Sequence, residues 1–307
     1  MGIIQTIRDS KKIMNHAVKE SDLIMQLGDK ELREYQMFLL QMYKDIKAVC
    51  DKYHLKLFVI GGTALGAVRH HGFIPWDDDL DTGMLREDYE VFKQVFEKEL
   101  SDCYILNVPN YARHPVRGHA RIMRKGTYYK DITDNDDEDL NHIYIDLFVL
   151  ENIPENTVVK ALKGKGFDLL YRVSKAVYFR ENRTQELKSF YSSAGKANYY
   201  LRVTVGTIFS FRNSASWLSL TEKAAQWKKN SPYCGIPTGR KRYFGEIMRK
   251  EDVLPGVEFP FENEIVLVFS NYDPYLRNLY GDYMKLPPEE DRERHSICGL
   301  KYTLCGD

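Results

Sequence analysis

Four aspartates within five residues form the part of this sequence that is best suited to metal chemistry. They are Asp77, Asp78, Asp79 and Asp81, and they follow a turn through Pro75. If a strand begins at Asp79, then Asp79 and Asp81 point to one face, because side chains alternate along a strand. Two carboxylates on one face offer the hard oxygen ligands that Mg²⁺ prefers, with waters and substrate phosphates completing its shell. We therefore predict that Asp79 and Asp81 bind Mg²⁺, with Mn²⁺ as the alternative metal.

A glycine pair upstream of the aspartates could bind the phosphates of the same substrate. An apolar run ends at Gly61 and Gly62, which indicates a buried strand followed by a sharp turn. A short helix is predicted from Thr63 to His70, so its free N–H groups and positive dipole end lie at this turn. Glycine also lets the backbone approach a phosphate closely. Gly61, Gly62 and Thr63 are therefore candidate phosphate ligands, and a simple turn is the alternative.

Two other kinds of metal site use aspartates with a similar spacing. An EF-hand calcium loop that starts at Asp77 requires Gly at its sixth position and Glu at its twelfth. Thr82 and Asp88 stand at those positions, and no helix is predicted directly before Asp77, so we reject this interpretation. A sugar-nucleotide glycosyltransferase also uses an Asp-x-Asp metal site. Such folds usually build several strand–helix units before that motif, whereas one strand is predicted here.

A third carboxylate lies within an apolar run that extends from His142 to Leu150. The alternation predicts a strand with Ile145 and Leu147 on one face and Asp146 on the other. Burying a single carboxylate in such a strand is costly unless a metal ion or hydrogen bonds compensate. Asp146 is therefore a candidate for the third carboxylate of the same site.

The sequence GGTALGAVRHHGFIPWDDDLDTGM resembles the core motif of the LicD family. Members of that family are phosphorylcholine transferases that decorate bacterial lipopolysaccharide and teichoic acid, and fukutin-type proteins are distant relatives. The resemblance is specific over residues 55–90 and weaker up to about residue 295. The weaker matches are Tyr280-Gly281-Asp282, Pro287-Pro288 and His295. The resemblance implies an α+β fold with a nucleotidyltransferase-like mixed sheet, flanked by helices and carrying an appended helical segment.

The resemblance also implies an activity. The expected reaction is Mg²⁺-dependent transfer of a phospho-alcohol, phosphocholine from CDP-choline, to a sugar hydroxyl of a cell-envelope glycan or glycolipid precursor, with release of CMP. The partners are then a CDP-alcohol donor and a sugar or lipid-linked glycan acceptor. Asp79, Asp81 and Asp146 would be both the metal ligands and the catalytic residues. Arg69 and His70, at the end of the short helix, are candidates for neutralising the leaving CMP.

Arg121 and Trp76 are further candidate substrate ligands. Arg121 lies in a strand predicted from His119 to Arg124, and an arginine can grip phosphate through bidentate hydrogen bonds. The alternative is that Arg121 belongs to a solvated edge strand. Trp76 is a candidate for choline binding, because quaternary ammonium groups bind against aromatic faces. The alternative is that Trp76 packs beneath the aspartate turn.

A basic, aromatic-rich segment extends from Thr157 to Arg212, with eleven Lys and Arg residues against three Asp and Glu residues. A helical segment of this composition can lie on an anionic membrane surface, and it could also hold a pyrophosphate-linked lipid acceptor. The alternative is a helical subdomain whose basic face meets water. We therefore predict peripheral membrane contact through residues 157–212.

The composition is that of an ordinary globular protein. The chain has 307 residues, 43% of them hydrophobic, and 44 basic residues balance 44 acidic ones, so nucleic acid is not an expected partner. Five cysteines without a C-x-x-C pair favour a reducing compartment. No apolar stretch reaches the length of a membrane span, so we expect a cytoplasmic protein, peripheral on the inner face of the membrane.

We predict three regions along the chain. Residues 1–156 are a nucleotidyltransferase-like catalytic core with N-terminal helices, residues 157–230 are a basic helical insertion, and residues 231–307 complete the core with strands and a helix. The predicted helices cover residues 31–54, 63–70, 86–100, 218–229 and 273–281. The predicted strands cover residues 55–60, 79–85, 104–108, 119–124, 142–150, 244–246, 259–262 and 265–269.

Two other functions use the same features. A nucleotidyltransferase would pass a nucleoside monophosphate from a nucleoside triphosphate to a small molecule and release pyrophosphate with the same carboxylates. A membrane-surface binding protein with an inactive site would use only the basic segment.

Overall fold

The computed structural model describes residues 24–109, 118–131, 141–183, 188, 196–292 and 294–302. The helices of these residues are α1 (Asp29–Lys52), α2 (Gly61–His70), α3 (Arg86–Glu99), α4 (Thr157–Glu181), α5 (Lys196–Ile208), α6 (Ser214–Ala225), α7 (Arg242–Gly245), α8 (Lys250–Val253), α9 (Tyr272–Tyr280) and a short 3₁₀ helix (Glu289–Asp291). The strands are β1 (Phe58–Val59), β2 (Asp81–Leu85), β3 (Tyr104–Asn107), β4 (Ala120–Arg124), β5 (Tyr128–Asp131), β6 (Tyr144–Asn152), β7 (Tyr233–Gly235), β8 (Ile247–Arg249), β9 (Val257–Phe261), β10 (Glu264–Val268) and β11 (Ile297–Lys301).

The described residues form a nine-stranded mixed sheet, with the strand order β3-β4-β6-β2-β1-β10-β9. Strand β7 extends the sheet by pairing with both β6 and β8. Strands β2 and β6 are parallel, as are β1 and β10, while β1–β2, β3–β4, β4–β6 and β9–β10 are antiparallel. A mixed sheet flanked by helices confirms the predicted α+β class.

The amphipathic helix α1 covers the sheet, as its periodicity predicts. Its buried side chains recur with helical spacing and include Leu39, Tyr43 and Ile46. They belong to the same apolar cluster as Phe58 of β1 and Ile145 of β6. This packing supports the strands that carry the aspartates.

Helix α4 packs against α5 and α6 as a separate layer of helices. Apolar contacts of Phe167 and Tyr171 in α4 with Leu218 in α6 form a cluster of their own. Helix α4 begins at Asn156, whose side-chain oxygen accepts hydrogen bonds from two backbone N–H groups of the first turn. The predicted division of the chain into residues 1–156, 157–230 and 231–307 stays a prediction. No helix among the described residues has both the length and the apolar character needed to cross a bilayer.

Several predicted boundaries and elements were wrong. The helix predicted at residues 218–229 is α6, which starts earlier because the Asn213 side chain caps it, accepting from the Ser216 N–H at 2.9 Å. The strand predicted at residues 244–246 is instead the end of helix α7 and the residue after it. Strand β2 begins at Asp81 and not at Asp79, because the preceding backbone forms a turn in which the Asp77 N–H donates to the Ile74 carbonyl.

Candidate active site

The pairing of β2 with β6 brings two of the predicted carboxylates together. These strands are parallel, and the register places Asp81 directly beside Asp146. The hydroxyl of Thr82 also donates to the Asp146 carbonyl at 2.8 Å, which ties the two strands together at this position. The structure therefore places Asp81 beside Asp146, and their predicted roles at one catalytic site stay a prediction.

The start of helix α2 lies against the same carboxylates. Gly61 has a φ of 56°, and a Cβ atom added there would lie 2.9 Å from Asp81 Oδ2. A Cβ on Gly62 would lie 3.0 Å from Asp77 Oδ2. The Thr63 hydroxyl accepts a hydrogen bond from the Asp81 N–H at 2.8 Å. Glycine is therefore needed here because the carboxylates occupy the space of a side chain.

The predicted phosphate-binding turn has one of its N–H groups already in use. The Gly61 N–H donates to the hydroxyl of Tyr275 in α9 at 3.1 Å. Tyr280 of the same helix also lies close, since its hydroxyl would be 3.8 Å from a Cβ on Gly61. Burial and the negative charge of Asp81 raise the pKa of Tyr280 above its ordinary range. Phosphate binding by Gly61, Gly62 and Thr63 stays a prediction.

The negatively charged aspartates repel one another. Asp81 and Asp77 each keep some exposed surface. Burial, followed by the negative charges of Asp79, Asp146 and Asp77, raises the pKa of Asp81 well above its ordinary value. Burial and the charges of Asp79 and Asp78 raise the pKa of Asp77 in the same way. A cation in this region would relieve the repulsion between the carboxylates.

The donor chemistry of the site fits Mg²⁺, because Asp79, Asp81 and Asp146 offer only hard carboxylate oxygens. Within the ranges that the structure describes, no group of three or more His, Cys, Asp or Glu side chains is gathered closely enough to hold a metal ion. The assignment of a metal to these three aspartates therefore stays a prediction.

Arg121 and His119 of the neighbouring strand region contact the third carboxylate. The Arg121 Nε donates to Asp146 Oδ1 at 3.1 Å, and the guanidinium carbon lies 3.6 Å from the centre of the Tyr144 ring. His119 Nε2 lies 3.1 Å from the same oxygen but is not aligned as a hydrogen bond. Arg121 is 7% exposed, and β4 lies between β3 and β6. The solvated edge strand considered for Arg121 is therefore wrong.

Arg69 and His70 lie at the opposite end of α2 from the glycine pair, which at 1.5 Å per residue is a distance of about 13 Å along the helix. The Arg69 Nη1 donates to the Tyr283 carbonyl at 2.5 Å. Burial lowers the pKa of Arg69, and burial together with the positive charge of Arg69 lowers the pKa of His70. Contact of either residue with a leaving CMP stays a prediction.

A segment close to the C-terminus reaches back to the aspartates and to Trp76. The carboxylate of Asp78, which is buried, accepts from the His295 backbone N–H at 3.0 Å and lies 2.8 Å from His295 Nδ1. The guanidinium of Arg292 lies over the Trp76 ring, 4.2 Å from its centre. The residue types and their spacing in the sequence assigned no role to Arg292 or His295. For His295 and Tyr280, the available signal was the weaker C-terminal part of the family resemblance.

Carboxylates in register on parallel strands, next to a glycine-led helix, are the arrangement expected of a nucleotidyltransferase-like domain. Residues 54–190 match the family described as "LicD/FKTN/FKRP, nucleotidyltransferase domain". This match to the LicD family covers 137 of the 307 residues of the chain.

Three relatives extend this comparison. The chain is 27% identical over 284 residues to the lipopolysaccharide cholinephosphotransferase LicD of Haemophilus influenzae. The aligned region covers 87% of this chain and 96% of that protein. An uncharacterised protein of Rickettsia typhi is 40% identical over 75 residues, or 22% of this chain and 24% of its own length. A similar protein of Rickettsia prowazekii is 39% identical over 75 residues, or 22% of this chain and 28% of its own length.

Proposed function

We propose that this protein transfers phosphocholine from CDP-choline to a sugar hydroxyl of a cell-envelope glycan or glycolipid precursor and releases CMP. The chain is a LicD-type phosphotransferase. The similarity to the Haemophilus cholinephosphotransferase, which extends over most of both chains, supports this substrate class. The structural observation that carries the proposal is the pairing of Asp81 with Asp146 beside the start of α2.

The reaction forms one P–O bond and breaks another. The oxygen of the acceptor hydroxyl attacks the phosphorus that bears choline, and the bond from that phosphorus to the oxygen of CMP breaks. CMP leaves with the electron pair of that bond, and the hydroxyl proton is lost to a base. We propose that Asp146 is the base that accepts this proton. Asp146 lies beside Asp81 and also accepts a hydrogen bond from Arg121.

Mg²⁺ is the cofactor of this proposal, and Mn²⁺ is the alternative. Asp79, Asp81 and Asp146 would hold the ion, which would neutralise the diphosphate of the donor. The chain itself positions these carboxylates. The Thr63 hydroxyl fixes the backbone of Asp81, and Gly61 leaves space for the Asp81 carboxylate. The N–H groups of the first turn of α2 would face the phosphates.

A panel of donors tests the proposal. Purified protein is incubated with Mg²⁺ and, in turn, CDP-choline, CDP-ethanolamine, CDP-ribitol, UDP-glucose and CTP, and phosphorus NMR identifies the products. We expect CMP from CDP-choline, including slow hydrolysis without an acceptor. Pyrophosphate from CTP would favour a nucleotidyltransferase, and a nucleoside diphosphate from UDP-glucose would favour a glycosyltransferase. Absence of both turnover and nucleotide binding would support the membrane-binding protein with an inactive site.

We also propose that the protein acts at the cytoplasmic face of a membrane, with residues 157–212 in contact with anionic lipid. One face of α4 carries exposed Val158, Leu162 and Leu169, which are 67%, 69% and 63% exposed. Lys165 and Arg172 stand on the same face, because the five positions follow helical spacing. Exposed apolar side chains interleaved with basic ones are complementary to an anionic bilayer surface.

Sedimentation with lipid vesicles tests this contact. We expect the protein to bind vesicles that contain phosphatidylglycerol more strongly than vesicles of phosphatidylcholine alone. Replacing both Leu162 and Leu169 by Ser should weaken that binding. Ile265→Ser is a matched control, because Ile265 is also exposed but lies in β10. Equal binding by the Leu162/Leu169 variant and the wild type would contradict the proposed membrane contact.

A further inference from the structure

Trp76, the candidate choline-binding residue, already has a cation on its ring. The guanidinium carbon of Arg292 lies 4.2 Å from the centre of the Trp76 ring, well within the range of a cation–π contact. Trp76 is only partly buried, and it packs against the main apolar core. His70 contacts the ring edge-on, with the two ring centres 6.3 Å apart. A ligand cation that uses the face covered by Arg292 must therefore replace the guanidinium.

The chain around Arg292 is anchored on both sides. Arg292 follows the 3₁₀ helix, and its backbone N–H donates to the Glu289 carbonyl at 3.2 Å. Its side-chain Nη1 also donates to the Glu289 carboxylate at 3.3 Å. His295 is held by the Asp78 carboxylate through both its backbone N–H and its ring. The backbone near Arg292 is therefore held by hydrogen bonds, and the side chain, about 30% of which is exposed, is the part that a ligand would displace.

We propose that the Trp76 ring is a cation subsite which the guanidinium of Arg292 occupies in the absence of ligand, so that a ligand cation binds there only in competition with Arg292. This inference rests on the proposed function, because it takes the Trp76 ring to be the position of the choline group. A quaternary ammonium group restores the cation–π contact that is lost when Arg292 leaves. A neutral alcohol makes no cation–π contact, so it gains nothing by displacing Arg292 and leaves the guanidinium on the ring.

The physical difference between ammonium types sharpens this selection. A quaternary ammonium group has no N–H donors and loses little hydration on an aromatic surface, whereas a primary ammonium group is strongly hydrated and must give up that hydration. Phosphoethanolamine should therefore compete with Arg292 less well than phosphocholine does. Glycerol phosphate should not compete at all.

Titration of the protein with phosphocholine tests this inference without any turnover. The signal is the indole N–H resonance of Trp76, which Trp76→Phe identifies among the three tryptophans of the chain. In Arg292→Ala we expect the Kd for phosphocholine to fall by about three- to tenfold, because the ligand no longer displaces a competing cation. Glycerol phosphate binding should be unchanged. Arg294→Ala is the matched control, because Arg294 is an exposed arginine in the same segment.

Weaker or unchanged binding of phosphocholine in Arg292→Ala would overturn the inference. Weaker binding of both phosphocholine and glycerol phosphate would overturn it as well, because Arg292 would then contact the phosphate. Binding and transfer are measured separately, so the failure of one can be told from the failure of the other. A protein that does not release CMP from CDP-choline, but whose Arg292→Ala variant binds phosphocholine more tightly, would disprove the transferase activity and keep Arg292 as the competing cation.

Discussion

Gly61 combines two constraints that act on a single residue. Its φ of 56° is a conformation that residues with a side chain rarely adopt, and the Asp81 carboxylate occupies the space in which a Cβ would lie. Gly126 has a similar φ of 75° but has no atom within 4 Å of an added Cβ. Comparison of the two glycines therefore separates backbone strain from contact with the carboxylate.

Gly61→Ala should abolish most of the activity, whereas Gly126→Ala should not. Both variants should lose about 1 kcal/mol of unfolding free energy from the positive φ. Only Gly61→Ala should also displace Asp81, so its kcat should fall by at least about tenfold. Urea denaturation and the rate of CMP release measure the two effects. Equal losses of activity in the two variants would show that the contact with Asp81 is unimportant.

At the scale of single residues, the sequence predicted positions that are close in the chain better than distant contacts. Asp81 and Asp146 were each identified from a local pattern, a carboxylate motif and an alternating apolar run, whereas their register across the sheet was not predicted. The contact of Asp78 with His295 joins residues that are 217 positions apart, and no local pattern specifies it. The cation on Trp76 was missed for the same reason.

At the scale of elements, α5 crosses α4 at very short range. A Cβ on Gly206 of α5 would lie 2.3 Å from the Ala176 carbonyl of α4. The aromatic contact between Tyr199 and Phe179, with ring centres 5.4 Å apart, stabilises the other end of the same crossing. Gly166 of α4 has no atom within 4 Å of an added Cβ and therefore provides a control glycine in the same layer of helices.

Gly206→Ala should destabilise the protein, whereas Gly166→Ala should stabilise it slightly. The added methyl group at Gly206 meets backbone, which cannot move without separating the helices, so we expect a loss of about 1–3 kcal/mol. At Gly166 the better helix propensity of alanine should add up to about 1 kcal/mol. Urea denaturation followed by circular dichroism measures both changes. Stabilisation by Gly206→Ala would contradict the close crossing of the two helices.

Elements with strong periodicity were predictable, and short or distant ones were not. Helix α1 and strand β6 were predicted because their buried residues recur with periods that one segment contains. The pairing of β11 with β5 was missed, because each strand is short and the pairing joins distant parts of the chain. Helix α7 has only four residues, which is too few to show a helical period.

At the scale of the whole molecule, Glu262 connects three distant parts of the chain. It lies in the turn between β9 and β10, and its carboxylate accepts two hydrogen bonds from Arg33 of α1. The same carboxylate accepts from the Phe73 N–H, just before the aspartate motif, at 3.0 Å. The hydrogen bond from Arg33 is the largest cause of the lowered pKa of Glu262.

Arg33→Met should destabilise the protein in a pH-dependent way. A carboxyl group whose pKa is lowered on folding contributes stability above its unfolded pKa and loses it as the pH falls through the folded pKa. Because Arg33 is half exposed, we expect a loss of about 0.5–1 kcal/mol near pH 7, and a smaller loss below about pH 4. Urea denaturation at the two pH values measures this. Lys30→Met, which removes an exposed pair with Glu34, should have almost no effect.

The same destabilisation at both pH values would mean that Arg33 contributes by packing and not through the charge of Glu262. The contribution of Arg33 to stability could not be predicted from the sequence, because Arg33 and Glu262 are 229 positions apart. Charge and composition gave only the general class of the protein.

Phosphorus NMR of a complete transfer reaction tests most directly whether Asp81 and Asp146 catalyse the transfer of phosphocholine. The reaction contains CDP-choline, Mg²⁺ and lipopolysaccharide that lacks phosphocholine. It is run with the wild-type protein, Asp81→Asn or Asp146→Asn. Asp102→Asn is the control, because Asp102 lies at an exposed position. We expect one CMP for each new phosphodiester with the wild type and Asp102→Asn. We expect a rate lower by at least about a hundredfold with the other two variants. Full transfer by Asp81→Asn, or pyrophosphate in place of CMP, would contradict the proposed function.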